Sequence, residues 1–218
     1  DLDTLIQSRS ILRHPFYVAW REGKLTKNQL ATYARVYWPH VATFPSYLET
    51  SIAKTDDPVV RETLRCNLRD ERTNPKPHPE LWLDFATSHG QSRQEVITAP
   101  RHQSAEQIVT TFKNLASSST LEGVTALYAY EVQQPEGASQ KRDGLRTHYG
   151  IEGDKSIAHF NVHAEADITH SQEEREVLRR CLDDGGEPGI MINAAMESLN
   201  AYWVLLDGVC EETAISMD

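Results

Sequence analysis

The chain has 218 residues, 39% of them hydrophobic, enough for one sizeable core and short for two, so a single domain over residues 1–218 is expected. Its 22 Lys plus Arg against 32 Asp plus Glu leave a formal net charge of -10, with no basic stripe to neutralise a phosphate backbone, and nucleic acid is not an expected partner. No apolar run approaches the roughly 18 residues of a membrane span, DLDTLIQSRS lacks the regions of a secretory signal, and Cys66, Cys181 and Cys210 are scattered, so a cytoplasmic protein without disulfides, thiolate zinc or membrane contact is expected.

Most long segments repeat apolar residues every three to four positions and none alternates over strand lengths, so the helical template holds almost throughout. Leu2 to Leu12 reads as a short first helix, stopped at His14-Pro15 because a residue before proline is pushed out of the α region. Thr26 is a good N-cap for a long helix with Leu30, Tyr33, Tyr37, Val41, Phe44 and Leu48 inward. Pro39 and Pro45 should kink it. Asp57-Pro58 opens a helix running to about Asn74. After NPKPHP, Leu81, Trp82 and Phe85 predict another, ended by Gly90. Ser104 starts a helix through Ile108 and Phe112 to the SSST break, and Thr120 or Leu121 starts the next, through Tyr128 to Gln134. Segments 138–149, 155–171, 172–183 and 188–210 complete the set. The predicted fold class is all-α, a bundle of seven or eight helices with short connections.

The segment HFNVHAEADITH, residues 159–170, holds three of the nine histidines. On a helix, His163, Asp167 and His170 fall within roughly 60° of one another. His159 lies one turn earlier near that stripe, whereas Glu165 points away. A solvated polar face is the plain alternative, but Ile157, Phe160, Ala164 and Ile168 must supply the helix's core contact, and they flank the stripe, which suggests that it faces inward with them. Glu131 lies in the apolar helix LEGVTALYAYEVQQ, where a carboxylate is costly unless paired or metal-bound; a helix-end glutamate reaching water is the alternative. In RDERTNPKPHPELW, Glu71 ends one helix and His78 begins the next across a proline-rich turn that could fold both to a common point. Together Glu71, His78, Glu131, His163, Asp167 and His170 form the mixed oxygen and nitrogen set that suits a pair of iron or manganese ions in a helical bundle. No thiolate joins them, which disfavours structural zinc.

The motifs HPFYVAW, LATYARVYWPHVATFPSYLE, HPELWLDF, ALYAYE and HFNVHAEADITH occur in this order over about residues 8 to 210. In them the chain resembles the heme-oxygenase-like diiron proteins, most closely the branch of the chlamydial protein associating with death domains and its bacterial relatives. The wider superfamily includes TenA thiaminases, the PqqC quinone-forming oxidase and the UndA fatty-acid decarboxylase, so the fold alone does not fix the chemistry. The resemblance implies the same six ligands around two iron ions, with an iron and manganese pair open because both accept these ligands. It implies dioxygen and an external reductant as co-substrates. It also implies formation of p-aminobenzoate for folate synthesis from a tyrosine of the chain itself, with Tyr17 consumed, Tyr33 as an assisting or redox-relay tyrosine and Lys141 as amino donor. Such an enzyme acts about once, and its ring, fixed by folding, needs no diffusing substrate. A homodimer is expected by the same likeness.

Two other readings stand beside this one. The same metals could oxidise an external fatty acid or amino-acid derivative in a cavity between the helices. Alternatively the chain could be a death-domain-type interaction module, although no surface in the sequence marks one. Without the family, Tyr17 and Tyr33 would be core aromatics and Lys141 a solvated lysine. His40, beside Pro39, is expected to line the pocket with Trp38, and His159 to support a ligand. His14 is expected at a helix end, His89 and His102 in loops, and His148 in a last turn where a cation suits the helix dipole.

Overall fold

The computed structural model describes residues 1–215. Among them are eleven α-helices, one 3-10 turn and no strand. In chain order the helices are α1 (Leu2–Ser8), α2 (Pro15–Arg21), α3 (Lys27–Lys54), α4 (Pro58–Thr73), α5 (His78–Thr87), α6 (Arg93–Thr98), α7 (Gln103–Ser118), α8 (Thr120–Glu131), α9 (Gln134–Tyr149), α10 (Asp154–Asp183) and α11 (Pro188–Thr213). Eight of them have ten residues or more, and these are the predicted bundle. No helix among the described residues is long and apolar enough to cross a membrane.

The differences from expectation have local causes. The predicted helix over 2–12 stops at Ser8, and Ser10 caps a separate 3-10 turn, Ile11–Arg13, by accepting from the Leu12 N–H. Pro15 ends that stretch and also opens α2, because proline at the first helical position lacks only an N–H that would be orphaned there. His14 completes this start by accepting from the Phe16 N–H. The short α6 is opened by a capping box of Ser92 and Glu95. Residues 155–171 and 172–183, expected as two helices, form the single thirty-residue α10. α8 ends at Glu131, and α9 begins at Gln134 with a proline in its first turn, earlier than the expected 138.

Burial places the centre of the bundle. α10 packs against α9, α8 and α5, α11 covers α7 and α8, and α3 runs beside α7, α4 and α5. α3 continues through both Pro39 and Pro45, and it contributes Leu30, Tyr33, Tyr37, Phe44, Tyr47 and Leu48 to the core. Trp20, Trp82, Phe85, Phe112 and Phe160 are fully enclosed, and each such side chain stabilises the fold by about 2–3 kcal/mol. Ile168, expected to pack inward, is 49% exposed, at the outer edge of the buried stripe one turn beyond Ala164.

Candidate metal centre

Four helices bring the six predicted ligands together. α4 carries Glu71 in its last turn, and the connection 74–77 returns the chain so that His78, the first residue of α5, sets its Nδ1 2.8 Å from Glu71 Oε1. The other nitrogen of His78, Nε2, lies 3.1 Å from the Asn74 carbonyl. α10 adds His163, and one ligand atom from each of Glu71, His78 and His163 lies within 4.8 Å of the others. A second group, Glu131 at the end of α8 with Asp167 and His170 of α10, meets the same limit. Asp167 joins the two groups, with Oδ2 2.9 Å from His163 Nδ1 and Oδ1 3.5 Å from His170 Nδ1. All six side chains are buried except His163, which is 12% exposed.

The electrostatics of this cluster are those of excess negative charge out of water. Burial, and then the charge of Asp167, push the Glu131 carboxyl up to about 8. Burial acts on Asp167 in the same direction, but the imidazoles of His163 and His170 overcome it and hold that carboxyl below its ordinary range. For His170 burial favours the neutral ring, yet Asp167 and Glu131 prevail and raise it to about 10. His78 is likewise raised, Glu71 outweighing burial. Asn67 of α4 donates from Nδ2 to both oxygens of Glu131 at 3.1 Å. Asp167 Oδ1, His170 Nδ1 and both oxygens of Glu174 have no hydrogen-bond partner. Orphaned buried acceptors beside an oxygen and nitrogen donor set are what a pair of divalent cations would satisfy, so the residues fit a dinuclear centre.

The second cluster is built from phenols. Tyr17 on α2 places its hydroxyl 3.2 Å from that of Tyr33 on α3 and 3.2 Å from that of Tyr202 on α11. Lys141 on α9 donates from Nζ to the Tyr17 oxygen at 3.4 Å and stands 4.9 Å from the centroid of its ring. The chain of hydroxyls continues from Tyr202 to Tyr37 at 2.7 Å and from Tyr37 to Tyr130 at 2.9 Å, the residue beside Glu131. Gln134 donates to Tyr202 at 3.3 Å. Burial pushes the Lys141 amine down to about 7, with the charge of Asp167 acting against it, and holds the phenols of Tyr17, Tyr33, Tyr37, Tyr130 and Tyr202 above their usual value. The crevice that Tyr17 and Lys141 share with Leu12, Trp20 and Gly137 has no space for a water molecule.

The remaining histidines divide. His159 is buried, its ring 4.4 Å from that of His163 and 4.8 Å from Trp82, and burial keeps it neutral. His40, expected to line the pocket, is enclosed by Phe44, Tyr47 and Phe112 and touches Tyr37 and Tyr130 of the phenol network. Trp38 borders an outer cleft with Arg35 and Pro100. His14 caps α2 and bonds Asp207, His102 caps α7, and His148 sits in the last turn of α9. His89 turns its Nδ1 to the Phe85 carbonyl at 2.9 Å. Sequence reasoning missed Asn67, Glu174 and the tyrosines 37, 130 and 202. For Glu174 a signal existed, since it stands four residues after His170.

Comparison with known proteins places the chain in a family. Residues 31–203 match the model of a family described as iron-containing redox enzymes. The chain is 37% identical over 214 residues to the 4-aminobenzoate synthase of Chlamydia pneumoniae, covering 97% of this chain and 94% of that protein. It is 36% identical over 221 residues to the 4-aminobenzoate synthase of Nitrosomonas europaea, covering 97% and 90%. A Shewanella denitrificans domain of heme-oxygenase-like fold superposes with a TM-score of 0.80 at 16% identity, over 98% of this chain and 90% of that one, a likeness of fold alone. The chain belongs to the heme-oxygenase-like family of iron-containing redox enzymes.

Proposed function

We propose that this protein is a non-heme dinuclear oxygenase that makes 4-aminobenzoate, the p-aminobenzoate of folate synthesis, from its own Tyr17 in the cytosol. Dioxygen is the oxidant, an external reductant supplies electrons, and Lys141 gives the amine. Glu71, His78 and His163 would hold one ion and Glu131, Asp167 and His170 the other, as two irons or as iron with manganese. When bound, two reduced ions supply the electrons that activate dioxygen for oxidation of a nearby phenol.

The observation that carries the reading is the placement of Lys141 Nζ 3.4 Å from the oxygen of Tyr17. In the product a nitrogen replaces that oxygen on the ring, and the carboxyl carbon corresponds to Cβ of the tyrosine, so the Cε–Nζ bond of Lys141 and the Cα–Cβ bond of Tyr17 must both break, the phenol oxygen leaves as water, and dioxygen takes Cβ to the carboxyl level. An amine pushed down to about 7 keeps a large neutral fraction, and with it a free lone pair, at physiological pH. Tyr33 and Tyr202 orient the Tyr17 hydroxyl from two sides, and folding supplies the proximity that a diffusing substrate would have to gain by binding. A crevice too small for water beside Tyr17 favours this ring over an external fatty acid. The relatives named 4-aminobenzoate synthase support the product.

The test is anaerobic iron loading, addition of dioxygen and reductant, and mass spectrometry of the small molecule and of the peptide bearing Tyr17. At most one 4-aminobenzoate per chain is expected, with loss of the tyrosine side chain from the peptide. Tyr17→Phe should yield none while its metal content stays at the wild-type level. Product from Tyr17→Phe, or repeated turnover with an intact peptide, would refute the reading.

A further inference from the structure

Glu174 has no task in the scheme above. It lies on α10, 1% exposed, and neither of its carboxylate oxygens has a hydrogen-bond partner. A carboxylate in that situation is strongly unfavourable unless a proton or a cation compensates it. Its position on the helix is not neutral either. His163, Asp167, His170 and Glu174 are separated by four, three and four residues on an unbroken helix, so all four fall within roughly 60° of one stripe. Its carboxyl faces that of Glu131 across from α8, and Asp167 also acts on it; after burial itself, these charges are what raise it well above the ordinary carboxylate range. Asn67 of α4, the amide at this end of the centre, directs Nδ2 to the two oxygens of Glu131.

We infer that Glu174 is a further carboxylate ligand of the ion held by Glu131, Asp167 and His170, which makes the two ion sites unequal. The inference rests on the dinuclear reading proposed above. One site would have two imidazoles and Glu71; the other would have one imidazole and three carboxylates, with Asp167 between them. Hard oxygen donors favour a hard cation, so the acid-rich site is the one suited to manganese when the ions differ. Glu174 is not among the three residues whose ligand atoms meet within 4.8 Å, so rotation of its side chain toward Glu131, Asp167 and His170 is the movement required.

Titration of metal-free protein with Mn(II), reading free Mn(II) by electron paramagnetic resonance, tests this. Wild type should take up two ions per chain. Glu174→Gln, which preserves shape and removes charge, should hold one ion as wild type does and bind the other about tenfold or more weakly. Glu71→Gln should weaken the opposite site. Because Gln is neutral and nearly isosteric with the protonated carboxyl that burial and Glu131 favour in the metal-free protein, the metal-free form of Glu174→Gln should melt no lower than metal-free wild type, which separates lost ligation from lost packing. Wild-type uptake of both ions by Glu174→Gln overturns the inference and leaves the dinuclear reading intact, and so does weakening that only follows a lower metal-free melting temperature. Uptake of fewer than two ions by wild type defeats both.

Discussion

Two regions of one core treat buried polar groups in opposite ways. Around Tyr17 they are neutral phenols, a lysine whose amine is driven toward its uncharged form, and Gln134, and the hydroxyls satisfy one another. Around Asp167 they are carboxylates and imidazoles, several with atoms left unpartnered. The first region is complete once the chain has folded. The second is complete only when positive charge is added, and under the proposed function this difference separates a reactant held in place from a site prepared for cations.

Asp167→Asn breaks the contrast most strongly, because it removes the charge shared by both ligand groups. Saturating Fe(II) or Mn(II) should raise the wild-type melting temperature by about 5–10 °C per ion, given ~2.7 kcal/mol at a hundredfold excess over the dissociation constant. The variant should lose most of that rise and all 4-aminobenzoate formation, as seen by calorimetry with and without metal. Lys141→Met acts on the other region. The folded amine titrates near 7 against an ordinary 10.5, so between those values the unfolded chain binds more protons and wild-type stability rises with pH. The variant should therefore be more stable by on the order of 3 kcal/mol at pH 7, an advantage that fades toward pH 10. Urea denaturation across that range checks it, and a variant no more stable at pH 7 than at pH 10 relative to wild type contradicts it.

The smallest effect concerns His40, which burial lowers to about 3. Below its ordinary 6.5 the unfolded chain takes up a proton that the folded chain refuses, so stability is lost as pH falls toward 3. His40→Phe should flatten that acid limb, by about 1 kcal/mol at pH 5.5, with metal content unchanged. An unaltered acid denaturation curve would show that other groups set the limb.

How far the sequence could be read follows from which periodicities survive in it. Helical pitch alone turns the spacing of His163, Asp167 and His170 into one face, and a proline-rich turn of the right length folds Glu71 against His78. Glu174 escaped because HSQEERE offers no apolar residue to carry a pattern, so the sequence suggests a break where α10 runs on and Val177 and Leu178 resume the buried side. α2 escaped because Pro15 reads first as a stop. Tyr37 and Tyr202 look like ordinary packing residues, and only the meeting of α2, α3, α8 and α11 brings their hydroxyls into one network.

α2 has seven residues, too few for a helix to persist unaided, and it is held to the bundle by the buried rings of Phe16, Tyr17 and Trp20. If the middle ring leaves as product, a void of phenyl size opens beneath it, at a cost of about 3–5 kcal/mol. A whole domain is stable by only about 5–15 kcal/mol. A molecule that has fired would therefore carry its own expiry mark, an amino-terminal segment ready to fray, by which cellular proteases could tell used copies from fresh ones.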